Sequence, residues 1–165
     1  MTDIDQCIHR ERTWGGIGPK LALITLPYVV LSIVVMQRDP TFLALTFLNP
    51  DAAGFAGGLL LAVGCVFWSW AAIVFLTDFK KGELIARGPY GLCRNPIYAS
   101  FIVFLLPALS LMVRSGMILT IDLALYINFK IAIHGERLPL QQTFGEQYDA
   151  YSRRVNELFP FPRIW

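Results

Sequence analysis

Charged residues are scarce in this sequence, since Asp, Glu, Lys and Arg together make up 16% of its 165 residues. Soluble domains carry about 25% charged residues. Here 55% of the residues are hydrophobic, so the composition points to a lipid bilayer. The net charge is only +2, and no basic stripe with interleaved aromatic side chains occurs, which argues against a nucleic-acid partner. The length suits a single domain, residues 1–165.

Cysteine and histidine are also rare, with three cysteines and two histidines in the chain. The cysteines, Cys7, Cys65 and Cys93, are scattered, with no C-x-x-C pair and no metal-ligand spacing. We therefore expect neither a structural disulfide nor a bound metal. No signal-peptide cleavage pattern follows the first apolar run, so we expect this run to be retained.

Long uncharged runs are what the sequence has in abundance. They predict four membrane-spanning helices, at about residues 20–37, 54–77, 96–113 and 116–134. The first contains Pro27, which is expected to kink it, and membrane helices tolerate such a proline. Only Arg114 and its neighbours separate the third and fourth runs, so these two spans should form a tight antiparallel hairpin. The predicted fold is an all-α polytopic membrane protein.

The distribution of lysine and arginine predicts the orientation of these helices. Three of these residues lie in the N-terminal segment up to Lys20, four lie between residues 78 and 94, and four lie in the C-terminal segment, 135–165. The opposite loops contain only Arg38 and Arg114. The positive-inside rule thus places both termini, and the connection between the second and third spans, in the cytoplasm.

The C-terminal segment is predicted to contain an amphipathic helix rather than a fifth span. Apolar residues recur there at spacings of four, three and four, namely Phe144, Tyr148, Tyr151 and Val155. The charged residues between them lie largely off that face, so the helix could lie on the membrane or cover the end of the bundle. The aromatic, proline-rich tail ELFPFPRIW fits an interfacial anchor.

The connection between the second and third spans contains the stretch RGPYGLCRNPIY, residues 87–98. Gly88-Pro89 is a turn signal. Pro96 suits the first turn of the third helix because it lacks an N–H, and Asn95 suits the N-cap. An ordinary loop followed by a capped helix explains these four residues.

Three other residues of this stretch, Tyr90, Arg94 and Tyr98, are not required by any turn. They lie beside the predicted N-terminus of a helix at the membrane face. Such an end offers free N–H groups and a positive dipole end, which suit a carboxylate or a phosphate. We therefore interpret the stretch as a candidate binding site.

Several polar residues fall in or directly after the fourth span. Asp122 lies near the outer end of this span. Its side chain either reaches the membrane interface or has a functional role, and both interpretations stay open. Lys130 and His134 are one helical turn apart and face the same side, although a lone histidine there is commonly a headgroup-level residue. Glu136 follows the span directly, and we expect it to approach the connection containing Arg94 if the third and fourth spans are adjacent.

Taken together, these residues resemble the isoprenylcysteine carboxyl methyltransferases and related phospholipid methyltransferases. Members of that family show a pattern close to G-x-Y-x-x-x-R-(H/N)-P-x-Y at the start of a membrane helix. After a helical hairpin, members show a second pattern, E-E-x-x-L-x-x-x-F-G-x-x-Y-x-x-Y. The first block corresponds here to Gly88, Tyr90, Arg94, Asn95, Pro96 and Tyr98, and the second to Glu136, Leu140, Phe144, Gly145, Tyr148 and Tyr151. The match covers roughly residues 82–160.

The resemblance implies a membrane-embedded methyltransferase that uses S-adenosyl-L-methionine at the cytoplasmic side. It assigns Arg94 and Glu136 to catalysis. The cofactor positions implied are Gly82, Glu83, Leu84, Ile85, Tyr90, Asn95, Pro96, Ile97, Tyr98 and Glu136. The acceptor would be a lipophilic or lipid-linked carboxylate, amine or thiol that enters from the bilayer, and Lys130 and Arg137 are candidates for contacting it. Methyl transfer mainly needs alignment of donor and acceptor and exclusion of water, so a dedicated acid or base need not be visible.

This sequence departs from the family pattern at three positions. The second glutamate of the pair is Arg137, and an upstream glutamine that helps to hold the cofactor aligns near Phe75. The arginine that the carboxyl methyltransferases place before the first glutamate aligns with Ala132, which puts a prenylcysteine carboxylate in doubt as the acceptor. Two alternatives therefore stay open, a relative of the NAD(P)H-dependent membrane sterol reductases and a non-catalytic helical membrane protein.

Overall fold

The computed structural model describes residues 18–78 and 85–161, with the side chains at 136–140, 143 and 144 outside the description. Its elements are α1 (Gly18–Arg38), α2 (Pro50–Asp78), α3 (Pro89–Leu92), α4 (Pro96–Ala99), a π-helix (Ser100–Leu105), α5 (Leu106–Val113) and α6 (Gly116–Arg154). The described residues form no β-strand, only two isolated bridges. The prediction of an all-α protein is confirmed.

Four helical stretches within the described residues are long and apolar enough to cross a membrane, namely Gly18–Arg38, Pro50–Asp78, Pro96–Val113 and Gly116–Gly135. They match the four predicted spans, and α1 continues as one helix through Pro27. The second span begins earlier than predicted, at Pro50. The reason is a cap, because the side-chain oxygen of Asn49 accepts hydrogen bonds from the N–H groups of Asp51 (3.0 Å) and Ala52 (3.2 Å).

Helix α2 packs closely against the third span through two glycines. A Cβ at Gly57 would lie 2.9 Å from the main-chain oxygen of Ala108, and one at Gly64 would lie 2.7 Å from the Cβ of Phe104. Small residues let membrane helices approach in this way. Phe104 lies in the π-helix, which ends just before Pro107, a residue with no N–H to donate.

The third and fourth spans form the expected tight hairpin. Arg114 ends α5 in the left-handed conformation (φ 56°) and Ser115 precedes α6. The hydroxyl of the buried Ser110 donates to the main-chain oxygen of Ser115 at 2.9 Å, which closes the turn. The hairpin and the end of α5 therefore lie at the other end of the third span from the connection that precedes it.

Helix α6 packs against α1, and the side-chain amide of Asn128 donates to the hydroxyl of Thr25 (3.1 Å) across that contact. The fourth span continues as a helix beyond its apolar part, and the predicted C-terminal helix follows it after a kink. Helical geometry is interrupted at Gly145, whose φ of 50° and ψ of −128° break the helix before its last turns. Beyond that break, Tyr148 is buried and Tyr151 half-buried, as the predicted apolar face requires.

Candidate functional site

The connection between α2 and α4 is held to the end of α2 by a charged pair. The guanidinium of Arg87 donates through Nε and a terminal nitrogen to the two carboxylate oxygens of Asp78, at 2.5 and 2.6 Å. Next to it, Gly88 adopts a positive φ of 58° and lies against the indole of Trp70. A side chain at that position would be strained, so glycine lets the chain turn directly over α2 into the short helix α3.

The segment after α6 returns to this connection and pairs with it through main-chain atoms. The N–H of Arg94 donates to the carbonyl of Asn156 at 2.8 Å. The side-chain amide of Asn95 donates to the carbonyl of Glu157 at 3.0 Å. Asn95 occupies the N-cap position of α4 as predicted, but its side chain makes no capping hydrogen bond. It bonds the C-terminal segment instead.

Two half-buried tyrosines, Tyr90 and Tyr151, and the buried Cys93 lie in the same part of the structure as this pairing. The Tyr151 hydroxyl donates to the main-chain oxygen of Tyr90 at 2.6 Å, which ties α6 to α3. Burial, followed by the neighbouring phenol of Tyr151, raises the pKa of Tyr90, and burial also raises the pKa of Tyr151. Burial raises the pKa of the Cys93 thiol to about 12. All three groups therefore stay protonated and uncharged at neutral pH.

The charged centre of the site consists of Arg94, Lys130 and Glu157. The Glu157 carboxylate pairs with the Lys130 ammonium through one oxygen and lies 3.9 Å from a terminal nitrogen of Arg94 through the other. Its side chain is 10% exposed and that of Arg94 is 12% exposed, whereas that of Lys130 is 42% exposed. Among the described side chains, two cations surround this one carboxylate.

Arg94 has donor capacity left over. Its Nε is buried and has no hydrogen-bond partner among the described residues. An arginine carries five N–H donors, and a buried donor without a partner is unfavourable, so the contacts among the described residues do not use the full donor capacity of Arg94.

The apolar part of the site lies at the start of the third span and the end of the fourth span. The rings of Tyr98 and Phe129 pack at a centroid distance of 5.3 Å and an angle of 44°. At the start of α1, a Cβ on Gly18 would lie 3.3 Å from the Tyr98 hydroxyl oxygen, so the helix begins directly against this tyrosine. The buried cluster beneath them contains Leu21, Cys93, Ala99, Ile102, Phe129, Ile133 and Leu158.

The structure brings together most of the described residues that the sequence singled out. Tyr90, Arg94, Asn95, Pro96, Ile97 and Tyr98 form one continuous stretch, with Pro96 buried and the others half-buried. Lys130 reaches the same site from α6. Next along that helix, His134 is exposed, and its Nδ1 lies 3.0 Å from the carbonyl of Lys130. Ile85 stands at the edge of the described connection, partly exposed.

Some predicted positions lie outside the described residues. They are Gly82, Glu83 and Leu84, together with the side chains of Glu136 and Arg137. The backbone of the last two continues α6 one turn beyond Lys130 and Ile133. Their assignments stay predictions.

The contribution of Glu157 was missed by reasoning from the sequence. It lies in the aromatic tail, where no helical or strand period marks it, and the tail was interpreted only as an anchor. A signal was nevertheless present, because a lone acidic residue between Val155 and Leu158, both buried, needs a cationic partner.

Two curated relatives align with almost the whole chain. It is 27% identical over 157 residues to the nickel-cobalt-cadmium resistance protein NccN of Alcaligenes xylosoxydans xylosoxydans, covering 95% of this chain and 68% of the relative. It is 28% identical over 157 residues to the cobalt-zinc-cadmium resistance protein CzcN of Cupriavidus metallidurans, covering 95% and 67%. No protein-family model and no solved structure matches the chain.

A third relative matches the family named from the sequence blocks. The chain is 29% identical over 101 residues to a probable protein-S-isoprenylcysteine O-methyltransferase of Oryza sativa subsp. indica. This alignment covers 61% of the chain and 53% of the rice protein, so the similarity is partial. It supports the resemblance to membrane methyltransferases for that part of the chain.

Proposed function

We propose that this protein is an integral membrane methyltransferase that uses S-adenosyl-L-methionine and methylates a lipophilic acceptor. The observation that carries the proposal is the convergence of Arg94, Asn95 and Tyr98 with Lys130 and Glu157 at one end of the helix bundle. Those residues bring hydrogen-bond donors, an aromatic face and two cations to the depth at which a membrane molecule presents its polar end. The partial similarity to the rice methyltransferase supports the same reaction.

The residues present fit this cofactor. Its carboxylate needs donors, and the buried Nε of Arg94 is a donor without a partner among the described residues. Its purine and sulfonium suit aromatic faces such as those of Tyr90 and Tyr98. We propose that Arg94 and the stretch Asn95–Tyr98, together with Glu136 and residues 82–85, hold it. When bound, the cofactor supplies an activated methyl group.

The chain's own residues would align the reactants and exclude water. The segment containing Glu157 covers the connection through the Arg94 and Asn95 hydrogen bonds, which keeps the site closed on that side. Tyr90, Cys93 and Tyr151 stay protonated at neutral pH, so none of them is poised as a base. Lys130 and Arg137 would contact the polar end of the acceptor.

Titration of the purified protein in lipid nanodiscs with S-adenosyl-L-methionine tests this function. Saturable binding is expected for the wild type, with at least tenfold weaker binding in Tyr98→Ala and Glu136→Ala. The matched control is Arg38→Gln, which removes an exposed arginine from the opposite end of the bundle and should bind like the wild type. Methyl transfer from labelled cofactor into a lipid extract then identifies the acceptor class.

The same titration separates the competing functions. Binding of a reduced nicotinamide cofactor, with none of S-adenosyl-L-methionine, would assign the chain to the sterol-reductase alternative. Binding of neither would favour a non-catalytic protein.

A second candidate function follows from the relatives that align with 95% of the chain, both of which are named for metal resistance. We propose that the protein contributes to resistance against divalent metal ions. Among the described residues, no group of three or more His, Cys, Asp or Glu side chains could hold such an ion. Growth of cells in graded cobalt, comparing the wild type with Tyr98→Ala, tests whether resistance depends on the proposed cofactor site. Equal growth of expressing and non-expressing cells would reject the role in resistance.

A further inference from the structure

A cavity of about 320 Å³ lies at the end of the bundle opposite the candidate functional site. It forms where the end of α1, the loop before α2 and the hairpin between α5 and α6 meet. Its lining residues are Met36, Pro40, Ala44, Val113, Arg114 and Ser115. The volume is at the lower end of the range for small-molecule sites, which suits a headgroup rather than a large ligand.

The walls of this cavity are held rigidly. The N–H of Leu45 donates to the carbonyl of Arg114 at 2.8 Å, and the N–H of Gly116 donates to the carbonyl of Leu43 at 2.7 Å. A bridge between Ala44 and Ser115 lies between these bonds. The loop and the hairpin therefore form one preformed unit, which needs little ordering when a ligand binds.

Backbone strain is concentrated in this unit. Within residues 18–78 and 85–161, Leu43 and Arg114 are the two non-glycine residues with positive φ, both at 56°. The position of Arg114 at the end of α5 favours glycine or asparagine. A cation at a helix C-terminus complements the helix dipole, but the dipole does not require the left-handed conformation, and strained residues gather at functional sites.

The arginine is incompletely paired. Its Nε is buried and has no hydrogen-bond partner in the described part of the chain. The nearby carboxylate of Asp39 is engaged by the N–H and hydroxyl of Thr41, at 3.0 and 2.6 Å, and does not line the cavity. Ser115 also lines the cavity, and its main-chain oxygen accepts from the Ser110 hydroxyl. The planar guanidinium of Arg114 lines the same cavity, and its fork of N–H donors matches the oxygens of a phosphate group.

We propose that this cavity binds the phosphate group of a membrane phospholipid, with Arg114 as its principal donor. The apolar side chains of Met36 and Val113 line the same cavity, and Val113 is 58% exposed at the end of a membrane span. They would contact the glycerol and the first part of an acyl chain, which favours a lipid over free phosphate. This site is independent of the proposed methyl transfer, because it lies at the other end of the helices.

Native mass spectrometry of delipidated protein, titrated with phosphatidylglycerol in detergent, tests the proposal. One molecule should bind saturably to the wild type, and at least tenfold more weakly to Arg114→Gln and Arg114→Gly. Arg114→Gly also relieves the positive φ, so its melting temperature without lipid should equal or exceed that of the wild type, which separates lost binding from lost folding. The control, Arg38→Gln, removes an exposed arginine at the same end that does not line the cavity and should bind within twofold of the wild type.

Inorganic phosphate in the same titration distinguishes the two sources of a phosphate group. We expect no measurable competition by millimolar phosphate, since the apolar contacts are missing. Equal occupancy by phosphate and by the lipid would overturn the lipid assignment. Unchanged lipid binding in both Arg114 variants, or no saturable binding to the wild type, would overturn the site itself.

Discussion

Asn95 and Glu157, 62 residues apart in the chain, are joined by a hydrogen bond from the side-chain amide of the first to the main-chain oxygen of the second. The third and fourth membrane helices lie between these two residues in the chain. The bond holds the C-terminal segment against the connection between α2 and α4. The position of Asn95 is that of an N-cap, but the bond it makes is a tertiary one. The two roles predict different tolerances to substitution.

Replacing Asn95 with aspartate distinguishes them. Aspartate caps helices about as well as asparagine, so a capping role predicts little change. In the observed geometry the substitution replaces the N–H donor with an anionic oxygen facing the carbonyl of Glu157. We expect the free energy of unfolding to fall by about 2 kcal/mol, measured by denaturant unfolding in detergent. A change below about 0.5 kcal/mol would restore the capping interpretation.

Replacing Glu157 with glutamine leaves Arg94 and Lys130 without their counter-charge. Breaking a buried pair costs about 3–5 kcal/mol, and we expect about 2 kcal/mol here because Lys130 is partly exposed. Affinity for S-adenosyl-L-methionine should weaken at the same time, since Arg94 loses its fixed position. The control is Glu146→Gln on the exposed side of α6, which should change neither quantity. Wild-type stability in Glu157→Gln would contradict the charge cluster.

The buried thiol of Cys93 predicts a stability loss in alkali. An unfolded thiol ionises near pH 8.5–9, whereas burial raises the pKa of Cys93 to about 12. Between these two pKa values the folded protein keeps a proton that the unfolded chain has lost. The contribution of this thiol to the free energy of unfolding is therefore fully present below pH 8.5 and falls as pH rises toward 12. The slope is about 1.4 kcal/mol per pH unit for one group. Above pH 10, Tyr90 and Tyr151 add to it, because their pKa values are raised as well.

Unfolding free energies between pH 8 and 10 test this slope before the tyrosines contribute. In Cys93→Ala the absolute stability will differ because a side chain is removed, so the comparison is between slopes. A flat profile in the variant and a falling one in the wild type is the expected result. Parallel profiles would show that the thiol is not the group responsible.

The close contact of α2 with the third span predicts opposite effects for two glycines on the same helix. Gly64→Ala places a Cβ 2.7 Å from that of Phe104, and overpacking of this kind should destabilise the protein by about 2 kcal/mol. Gly54→Ala meets nothing within 4 Å and should leave stability unchanged or raise it by up to about 1 kcal/mol. Thermal unfolding of both variants in one detergent measures the difference. Equal melting temperatures would contradict the packing.

Labelling tests the predicted orientation. Single cysteines at Gln147 and Thr41 are both exposed and lie at opposite ends of the bundle. With the other cysteines removed, an impermeant maleimide added outside intact cells should modify the Thr41 site and spare the Gln147 site. The reverse pattern would place the candidate site on the outer face.

The four membrane helices could be predicted because their signal is local. A run of about twenty apolar residues fits one span whatever the rest of the chain does. The hairpin at Arg114 followed from two such runs lying almost end to end. The π-helix before Pro107 was not predicted, because the apolar pattern of a span does not distinguish a π-helical turn from an α-helical one.

Only the part of the candidate site that lies in one continuous segment of the chain could be predicted from the sequence. Tyr90, Arg94 and Tyr98 stood out because no turn required them, and their clustering follows from being near neighbours in the chain. The position of the Glu157 carboxylate depends on how an irregular C-terminal segment folds back onto the connection. The composition of the chain does not determine that position. The cavity at Arg114 likewise arises from three separate segments meeting.

The return of the C-terminal segment also sets an order of events during synthesis. Asn156, Glu157 and Leu158 complete the hydrogen bonds, the charge cluster and the buried core around the connection. A chain that ends before residue 156 lacks these contacts, so Arg94 loses both the carbonyl that accepts from its N–H and the carboxylate beside its guanidinium. The geometry of the candidate site is therefore complete only once the C-terminal segment has been made.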